Sequence, residues 1–479
     1  MKKRTKIVCT IGPACESREI LTQMVKAGMN VARLNFSHGT YENHAMLIEN
    51  IRAVATETGE PVAIMQDLQG PKIRVGLLPE AGVVLTEGQT VVFDTSIKQY
   101  DQEHVPIDYS ELHTFLQPQE RILLADGKIE VVITAVDGTK ITTTVVVGGT
   151  IFSHKGINIP DSTLTIRALT DKDKADAKFG VEHGVDLMAL SFVTSPEDVI
   201  DLRFTIKEHE KNLAIDADQP VRIIAKIERA EAVERIDEIL DVVDGIMVAR
   251  GDLGIEIPAA EVPVTQKILI EKALAHAKPV IVATQMLDSM QELPRPTRAE
   301  VSDVSNAVMD HTDAVMLSNE TATGKYPVVT VETMSHIIME AEKSAYDDLP
   351  MREYDGKKQQ IDTVISGMSR MLAEEVGATL ILAASISGGT GKLISRYRPE
   401  LPIAVATNSE RARHQLNLSW GVVPFILPTC RTIEELVQRS VVYLKKEKIV
   451  ARGDKLIVVA GEPVGEAGHV NLLEVREVE

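Results

Sequence analysis

Residues 221–228 read VRIIAKIE, and residues 244–252 read DGIMVARGD. Each segment is a short aliphatic run that ends in charged residues, and a pattern typical of an amphipathic helix follows it. Six more segments of this kind occur along the chain: 5–11 (TKIVCTI), 30–36 (NVARLNF), 61–68 (PVAIMQDL), 185–192 (VDLMALSF), 279–286 (PVIVATQM) and 313–320 (DAVMLSNE). With one exception they begin about 23 to 36 residues apart, which is typical of parallel βα units. Eight such units predict an α/β fold with a closed (β/α)8 TIM barrel, and a doubly wound open sheet is the alternative.

The exception is the long interval between the third and fourth segments, which predicts an inserted domain. Its apolar runs alternate with polar residues, and Asp137-Gly138 between two of them is a strong hairpin signal. We interpret residues 70–168 as a β-rich lid domain built as a small β-barrel. Residues 1–69 and 169–346 would then form the discontinuous (β/α)8 barrel.

A second α/β pattern begins after the barrel, and we interpret residues 347–479 as a C-terminal α/β domain. A polar stretch at 351–360 resembles a linker, and the spacing predicts a helix over 361–376. Strands are predicted at 378–385, 403–407, 422–427 and 455–461, in a mostly parallel sheet.

Composition narrows the classes of protein that need to be considered. The formal net charge of −19 disfavours nucleic acid and anionic membrane as partners. The three cysteines argue against a disulfide framework and fit a reducing compartment. The basic start is not followed by the apolar run of a signal peptide, and no stretch is long enough to span a membrane. We therefore expect a cytoplasmic protein.

Charged residues at the strand ends predict the functional site, because a βα-barrel works at the carboxyl ends of its strands. Lys226 and Glu228 are two residues apart on one strand, so both side chains point the same way. Asp252 ends the neighbouring strand, and two carboxylates with substrate oxygens and water are a usual Mg²⁺ site. A structural Lys–Glu–Asp salt-bridge cluster is the alternative.

Several further basic residues are predicted near the carboxyl ends of the barrel strands. Together with two carboxylates they suggest a metal and a phosphate-bearing substrate. They are Arg33, Arg74 and Arg250. The sequence contains no G-x-x-x-x-G-K-[ST] phosphate loop and no G-x-G-x-x-G after a strand. Any nucleotide must therefore be held in another way.

Eight segments resemble the pyruvate kinase family, and the resemblance covers essentially the whole chain. They are 33–39 (RLNFSHG), 67–74 (DLQGPKIR), 155–160 (KGINIP), 224–231 (IAKIERAE), 247–258 (MVARGDLGIEIP), 283–290 (ATQMLDSM), 294–308 (PRPTRAEVSDVSNAV) and 313–327 (DAVMLSNETATGKYP). The resemblance implies Mg²⁺-dependent phosphoryl transfer from phosphoenolpyruvate to ADP, with the inserted domain as a lid that excludes water.

The resemblance also assigns roles to matching positions. The substrate would be contacted by Arg33, Lys226, Gly251, Asp252 and Thr284, and the metal by Glu228 and Asp252. The nucleotide would be contacted by Asn35, Phe36, Ser37, His38, Arg74 and Lys155. Lys226 would stabilise the transferring phosphoryl group, and Thr284 and Ser318 would relay a proton to the enolate.

One departure from the common family pattern concerns K⁺. Many members carry Glu where this chain has Lys72, and the run here resembles the K⁺-independent branch. The ammonium group of Lys72 could supply the charge that K⁺ gives elsewhere, so K⁺ is predicted to be dispensable. The ligand positions of that ion match Asn35, Ser37, Asp67 and the carbonyl group of Leu68, which could remain as a vestigial site.

The C-terminal domain is where the family binds sugar phosphates or AMP as effectors. The matching loop carries a Gly-rich turn before a predicted helix, and a plain βα turn is the alternative to an effector site. Its candidate residues are Ser385, Ser387, Gly388, Gly389 and Thr390. The resemblance further implies a homotetramer. Two other functions stay open, a Mg²⁺-dependent pyruvate-enolate aldolase or lyase and a catalytically silent metabolite sensor.

Overall fold

The computed structural model describes residues 3–162, 167–215, 219–350, 358–461 and 470–479. The chain begins with three strands that alternate with two helices: β1 (Lys6–Thr10), α1 (Arg18–Ala27), β2 (Val31–Asn35), α2 (Tyr41–Thr58) and β3 (Ala63–Asp67). Ser17 and Thr40 cap the two helices by accepting backbone N–H groups of the first turn.

The segment after β3 is built from strands around one aliphatic core, which confirms its predicted all-β character. The strands are β4 (Val83–Leu85), β5 (Thr90–Asp94), β6 (His104–Pro106), β7 (Arg121–Leu124), β8 (Ile129–Asp137), β9 (Lys140–Val147), β10 (Gly149–Ile151) and β11 (Ile157–Asn158). Six of them form one sheet in the order β11-β7-β8-β9-β5-β6, and β10 pairs with β4 in a second sheet. The predicted hairpin is β8–β9, and its turn residue Gly138 has a φ of +56°.

The remaining barrel strands and their helices follow this segment. In chain order they are α3 (Asp171–Glu182), β12 (Leu187–Leu190), α4 (Pro196–Asn212), β13 (Arg222–Ile227), α5 (Ala230–Glu234), α6 (Ile236–Val242), β14 (Gly245–Ala249), α7 (Arg250–Glu256), α8 (Val262–Ala275), β15 (Val280–Ala283), α9 (Arg298–Met309), β16 (Ala314–Leu317), α10 (Asn319–Ala322) and α11 (Pro327–Ala341).

Eight of these strands close into a parallel barrel in the order β1-β16-β15-β14-β13-β12-β3-β2. Each of the eight predicted segments supplies one strand, so the predicted (β/α)8 barrel is confirmed and the open sheet is not. Alternate side chains such as Val8, Val31 and Ile224 fill the interior, and Leu418 from the C-terminal part of the chain packs into the same cluster. Because Lys226 lies two residues after Ile224, it faces the same interior at the carboxyl end.

The C-terminal part forms a second α/β unit. In chain order its elements are α12 (Ile361–Val376), β17 (Leu380–Ala384), α13 (Gly389–Ser395), β18 (Ile403–Thr407), α14 (Glu410–Leu416), β19 (Val422–Ile426), α15 (Ile433–Lys446), β20 (Lys455–Ala460) and β21 (Leu472–Glu477). The sheet order is β19-β18-β17-β20-β21. It is parallel except for the edge strand β21, which the sequence pattern did not predict.

Two predictions about the domain organisation, the linker and the exact domain limits, stay predictions. Most of the predicted linker at 351–360 lies outside the described residues. The exact domain limits, residues 1–69 with 169–346, 70–168 and 347–479, stay predictions. Within the described ranges, no helix combines the length and the apolarity that a membrane span requires.

Candidate active site

Lys226 lies at the centre of a buried polar group at the carboxyl end of the barrel. Its ammonium group is 2.8 Å from Glu228 Oε1 and 3.4 Å from Asp67 Oδ1, and it donates a hydrogen bond to Ser191 Oγ at 2.8 Å. Burial alone would lower the pKa of Lys226, but the two carboxylates outweigh it and raise the pKa above its usual value. Lys226 is therefore a fixed positive charge at neutral pH.

Arg33 lies beside this lysine and shares one of its carboxylates. Its Nε donates to Asp67 Oδ2 at 2.6 Å, and a terminal nitrogen donates to Thr10 Oγ1 at 2.9 Å. Asp67 is 1% exposed; burial would raise its pKa, yet Arg33 and Lys226 together keep the pKa below its usual value. The aspartate thus holds two cations side by side, which is the arrangement that a phosphate group needs.

The predicted metal ligands are the next members of the group. Glu228 is 1% exposed and accepts a hydrogen bond from the backbone N–H of Phe192 at 2.7 Å. Its pKa is raised, first by burial and further by the negative charge of Asp252, although Lys226 opposes this. Two carboxylates that repel each other in this way have the donor chemistry that a hard divalent cation prefers.

Lys72 contributes a third cation, from the segment that follows β3. Its ammonium group is 3.6 Å from Asp252 Oδ1. The predicted K⁺ ligands Asn35, Ser37 and Leu68 make other contacts: Asn35 Oδ1 accepts from Ser37 N at 3.1 Å, and the carbonyl of Leu68 accepts from Ser191 Oγ at 2.7 Å. The charge of Lys72 is therefore placed against a predicted Mg²⁺ ligand.

Thr284 stands at the end of β15 in a strained backbone conformation. Its φ is +73°, and that of Gln285 is +56°. A positive φ is a genuine outlier for a β-branched residue and is often found at functional sites. Thr284 Oγ1 accepts from the backbone N–H of Gly251 at 2.8 Å and donates to the carbonyl of Ala283 at 2.6 Å. The hydroxyl thus lies beside the Gly251–Asp252 backbone with which it was grouped.

Arg250, which the sequence grouped with the cations at the strand ends, is occupied by partners within the protein. It makes a bidentate ion pair with Asp303 at 2.6 and 2.7 Å, and it donates to the carbonyl of Thr284 at 2.9 Å. The ion pair joins Arg250 to helix α9, and the third contact joins it to the turn after β15. Arg250 thus links Thr284 to helix α9.

Ser318 follows β16 and is held by a buried carboxylate that the sequence did not single out. Glu320 is 1% exposed, and it accepts the backbone N–H groups of Ser318 at 2.6 Å and of Leu287 at 3.2 Å. Burial raises the pKa of Glu320. It joins the loop after β15, which carries Leu287, to the residue that ends β16.

The candidate nucleotide residues fall into two groups. The loop 35–38 is tied to the site because Phe36 N donates to the carbonyl of Asp67 at 3.0 Å. The carbonyl of His38 accepts a hydrogen bond from His44 Nε2 at 2.9 Å. Arg74 and Lys155 lie together on the inserted segment: Arg74 forms a backbone bridge with Gly156, and Val75 N donates to the carbonyl of Lys155 at 2.9 Å.

The candidate effector loop lines a cavity of about 930 Å³ in the C-terminal unit. Of the predicted residues, Ser385, Ser387, Gly389 and Thr390 line it, while Gly388 is not among the lining residues. Gly388 has a φ of +84°, and a Cβ there would lie 3.1 Å from Leu416, so this turn requires glycine.

Two residues that contact the Lys226–Glu228 pair escaped the sequence analysis. Ser191 accepts from Lys226, and the N–H of Phe192 binds Glu228. Both follow the fourth barrel strand, so their position at a strand end was the available signal. Neither residue carries charge, and an uncharged pair at a strand end does not stand out in one sequence.

A closed (β/α)8 barrel, with two cations and two carboxylates buried at the carboxyl ends of its strands, defines an enzyme of the class that binds a phosphorylated substrate. The model of the pyruvate kinase barrel domain matches residues 2–331, and that of the pyruvate kinase alpha/beta domain matches residues 363–476. The chain therefore belongs to the pyruvate kinase family, which confirms the resemblance. It is a phosphotransferase by that membership.

Individual relatives agree with the family models. A pyruvate kinase of Geobacillus stearothermophilus is 43% identical over 100% of this chain and 81% of its own length. A pyruvate kinase of Clostridium acetobutylicum is 40% identical over the full length of both chains. The crystal structure of a pyruvate kinase from Cryptosporidium parvum superposes with a TM-score of 0.90, at 35% identity, over 100% of this chain and 96% of that one.

Proposed function

We propose that this enzyme transfers the phosphoryl group of phosphoenolpyruvate to ADP with the help of Mg²⁺, and that the buried group around Lys226 performs the step. The observation that carries the proposal is the paired placement of Arg33 and Lys226 on Asp67. It fixes two positive charges at one end of a barrel whose family performs this reaction.

Lys226 and Arg33 neutralise the phosphoryl oxygens during transfer. Phosphoryl transfer requires positioning and charge stabilisation more than covalent participation of the protein. Lys226 is well suited because its raised pKa keeps it charged and Ser191 fixes its direction. Donors that are already oriented avoid reorganisation during the reaction, which is the main source of electrostatic catalysis.

Glu228 and Asp252 fit the Mg²⁺ that the family implies. Burial raises the pKa of Glu228 and the negative charge of Asp252 raises it further, so a bound cation would stabilise the charged form of both carboxylates. When bound, the metal would neutralise phosphoryl oxygens as a Lewis acid. The chain's own contribution is orientation, since Phe192 N fixes one oxygen of Glu228 and Lys226 fixes the other.

Thr284 and Ser318 serve the second half of the reaction, in which the enolate gains a proton at carbon. The hydroxyl of Thr284 lies against Gly251 N, where the substrate carboxylate would be held. A positioned hydroxyl that passes on a proton is general acid catalysis. Arg250 and Glu320 keep the two residues in place through Thr284 O and Ser318 N.

The nucleotide is assigned to the loop 35–38 together with Arg74 and Lys155. The two groups belong to different segments, the barrel and the insertion, so closure of the insertion would bring them together around ADP. A lid of this kind excludes water, which would otherwise compete with ADP for the phosphoryl group.

Pyruvate formation from phosphoenolpyruvate, ADP and Mg²⁺ tests the proposal. We expect wild type to be active and Lys226→Met to lose about 10³-fold in kcat, because one oriented charge is removed from the transition state. Lys226→Arg keeps the charge that balances Asp67 and Glu228, so its folding separates lost catalysis from lost structure. Lys446→Met, on an exposed helix end, is the matched control. Inactive wild type, or active Lys226→Met, would refute the proposal.

We also propose that K⁺ is dispensable because Lys72 supplies a cation beside Asp252. Activity should persist in a buffer free of K⁺, and Lys72→Glu should become dependent on added K⁺. If Lys72→Glu and wild type respond alike to K⁺, the role assigned to Lys72 is wrong.

The remaining assignments follow the family and complete the proposal. The 930 Å³ cavity would take a sugar phosphate or AMP as effector, with the phosphate at Ser385, Ser387 and Thr390. The enzyme would act as a homotetramer in the cytoplasm. Titration of sugar phosphates and nucleoside monophosphates against activity tests the effector, and light scattering tests the tetramer.

A further inference from the structure

Four basic residues cluster at the amino-terminal end of the barrel, opposite the active site. Arg222 begins β13, Lys278 precedes β15, Arg203 belongs to α4, and Lys392 reaches the cluster from α13. The carboxylate that pairs with two of them is Asp244, just before β14, and Asp241 also acts on Lys278. Four cations beside two carboxylates are a local excess of positive charge in a chain whose net charge is −19.

Both oxygens of Asp244 form ion pairs with arginines. Arg203 and Arg222 pair with its two oxygens at 2.9 and 3.0 Å, and these cations hold the pKa of Asp244 down at about 2 although burial would raise it. Lys278 donates to the carbonyl of Val243 at 2.6 Å. The ammonium group of Lys392 makes no hydrogen bond or ion pair with any described residue.

A small, partly open cavity lies next to the ammonium group of Lys392. Lys278, Lys392, Arg396 and Ser419 line it. The hydroxyl group of Ser419 is buried, with the residue 1% exposed, and has no hydrogen-bond partner among the described residues. The carboxylate that lines the cavity, Asp313, is already bound by Arg398 and by two backbone N–H groups.

The pKa values of both lysines are lowered, in each case first by burial. Burial, and then the charge of Arg222, lower the pKa of Lys392 to about 8, and burial also lowers the pKa of Lys278. Buried cations are stable when they are paired, and a buried hydroxyl without a partner costs free energy. An anion in the cavity would satisfy all three groups at once.

We propose that this cavity binds a small inorganic oxyanion of the sulfate and phosphate kind, held by Lys278, Lys392 and the hydroxyl group of Ser419. The site differs from the candidate effector cavity, which is lined by the loop 385–390 and shares none of these three side chains. It also lies at the opposite end of the barrel from Lys226. The proposal does not depend on the reaction that the enzyme performs.

Isothermal titration of the full chain with sulfate tests the site. Sulfate is the probe because it does not itself titrate near neutral pH. Near pH 8.5, in two buffers that differ in ionisation enthalpy, wild type should take up a large part of one proton on binding, since the anion restores the charge of Lys392. Lys226 stays charged throughout, so sulfate in the active site would show no such uptake.

Two variants locate the site. Lys392→Met should weaken sulfate binding about 10- to 100-fold and abolish the proton uptake, as expected for one charge-assisted hydrogen bond. Ser419→Ala should weaken it less, and should not lower the melting temperature without sulfate because the hydroxyl has no partner to lose. Lys446→Met, an exposed lysine of the same unit, should behave as wild type.

Unchanged sulfate affinity and proton uptake in Lys392→Met would overturn the proposal, and Lys392 would then be a desolvated lysine only. Unchanged affinity in Ser419→Ala would overturn the placement in this cavity. Competition decides the source of the anion: inorganic phosphate should displace sulfate, and displacement by glycerol phosphate as well would show that the phosphate can belong to a larger molecule. Failure of both to displace sulfate would also overturn the proposal.

Discussion

Replacing Thr284 by alanine and by glycine should reverse the usual order of stability of these two residues. Thr284 has a φ of +73°, in the left-handed region that costs an L-residue about 1–2 kcal/mol and glycine almost nothing. Both variants lose the same hydroxyl bonds, to Gly251 N and Ala283 O, so that loss cancels when they are compared. We expect Thr284→Gly to be more stable than Thr284→Ala by about 1 kcal/mol.

Thermal unfolding at one scan rate measures the difference. In a unit of this size about 1 kcal/mol corresponds to about 2 °C in Tm. The matched control is Thr56, which is exposed within helix α2 and whose hydroxyl donates to the carbonyl of Arg52 at 2.9 Å. There the ordinary order should hold, with Thr56→Ala more stable than Thr56→Gly by about 1 kcal/mol.

Activity provides the second half of the prediction. Both Thr284 variants should lose about 10²-fold or more in kcat, because a positioned proton donor is removed in each. The strain would then belong to a conformation that the reaction requires, and stability would be traded for it. If Thr284→Ala is as stable as Thr284→Gly, the backbone at this position is not strained and the argument fails.

The other predictions concern the support of Thr284 and a carboxylate far from the site. Arg250→Lys should lower kcat about tenfold and lower Tm, because lysine cannot keep both the bidentate pair with Asp303 and the bond to Thr284 O; unchanged kcat would contradict this. Asp347→Asn should alter the pH dependence of stability. Burial, with the negative charge of Glu342, raises the pKa of Asp347 from 3.8 to about 7. Between these two pH values the folded state binds more protons than the unfolded state, so the free energy of unfolding falls as the pH rises through this range. Relative to wild type the variant should gain Tm from pH 5 to pH 8, and parallel curves would contradict this.

The sequence was sufficient for the barrel and for the charged centre of the site. Eight aliphatic runs at regular intervals become eight barrel strands, because strand length and spacing are properties of local sequence. The spacing of two between Lys226 and Glu228 places both on one face, and they meet at 2.8 Å. The family roles of the remaining site residues stay predictions, since the geometry is compatible with them but does not test them.

The sequence could not predict which acidic residue pairs with which basic residue when the two lie far apart along the chain. Arg250 looked like a phosphate ligand, but its partner Asp303 comes from helix α9, 53 residues further along the chain. Lys72 was assigned by comparison with a K⁺ site, and the nearest acid is Asp252 of the barrel. Such pairs depend on how the barrel closes and where the insertion lies. No local sequence motif indicates either of these.

The charge balance at the two ends of the barrel leads to opposite expectations about ligands. At the active site Arg33, Lys226 and Lys72 are matched by three carboxylates, Asp67, Glu228 and Asp252. A group that is already neutral binds a highly charged phosphate ester best when a divalent cation accompanies it, which agrees with the Mg²⁺ assigned to Glu228 and Asp252. At the other end Asp244 is paired with Arg203 and Arg222, and the ammonium group of Lys392 has no carboxylate partner among the described residues, so an anion can bind there without a metal. If this contrast is correct, sulfate should stabilise the enzyme against unfolding in the absence of Mg²⁺, and the Lys392→Met variant should lose most of that stabilisation while retaining its affinity for Mg²⁺.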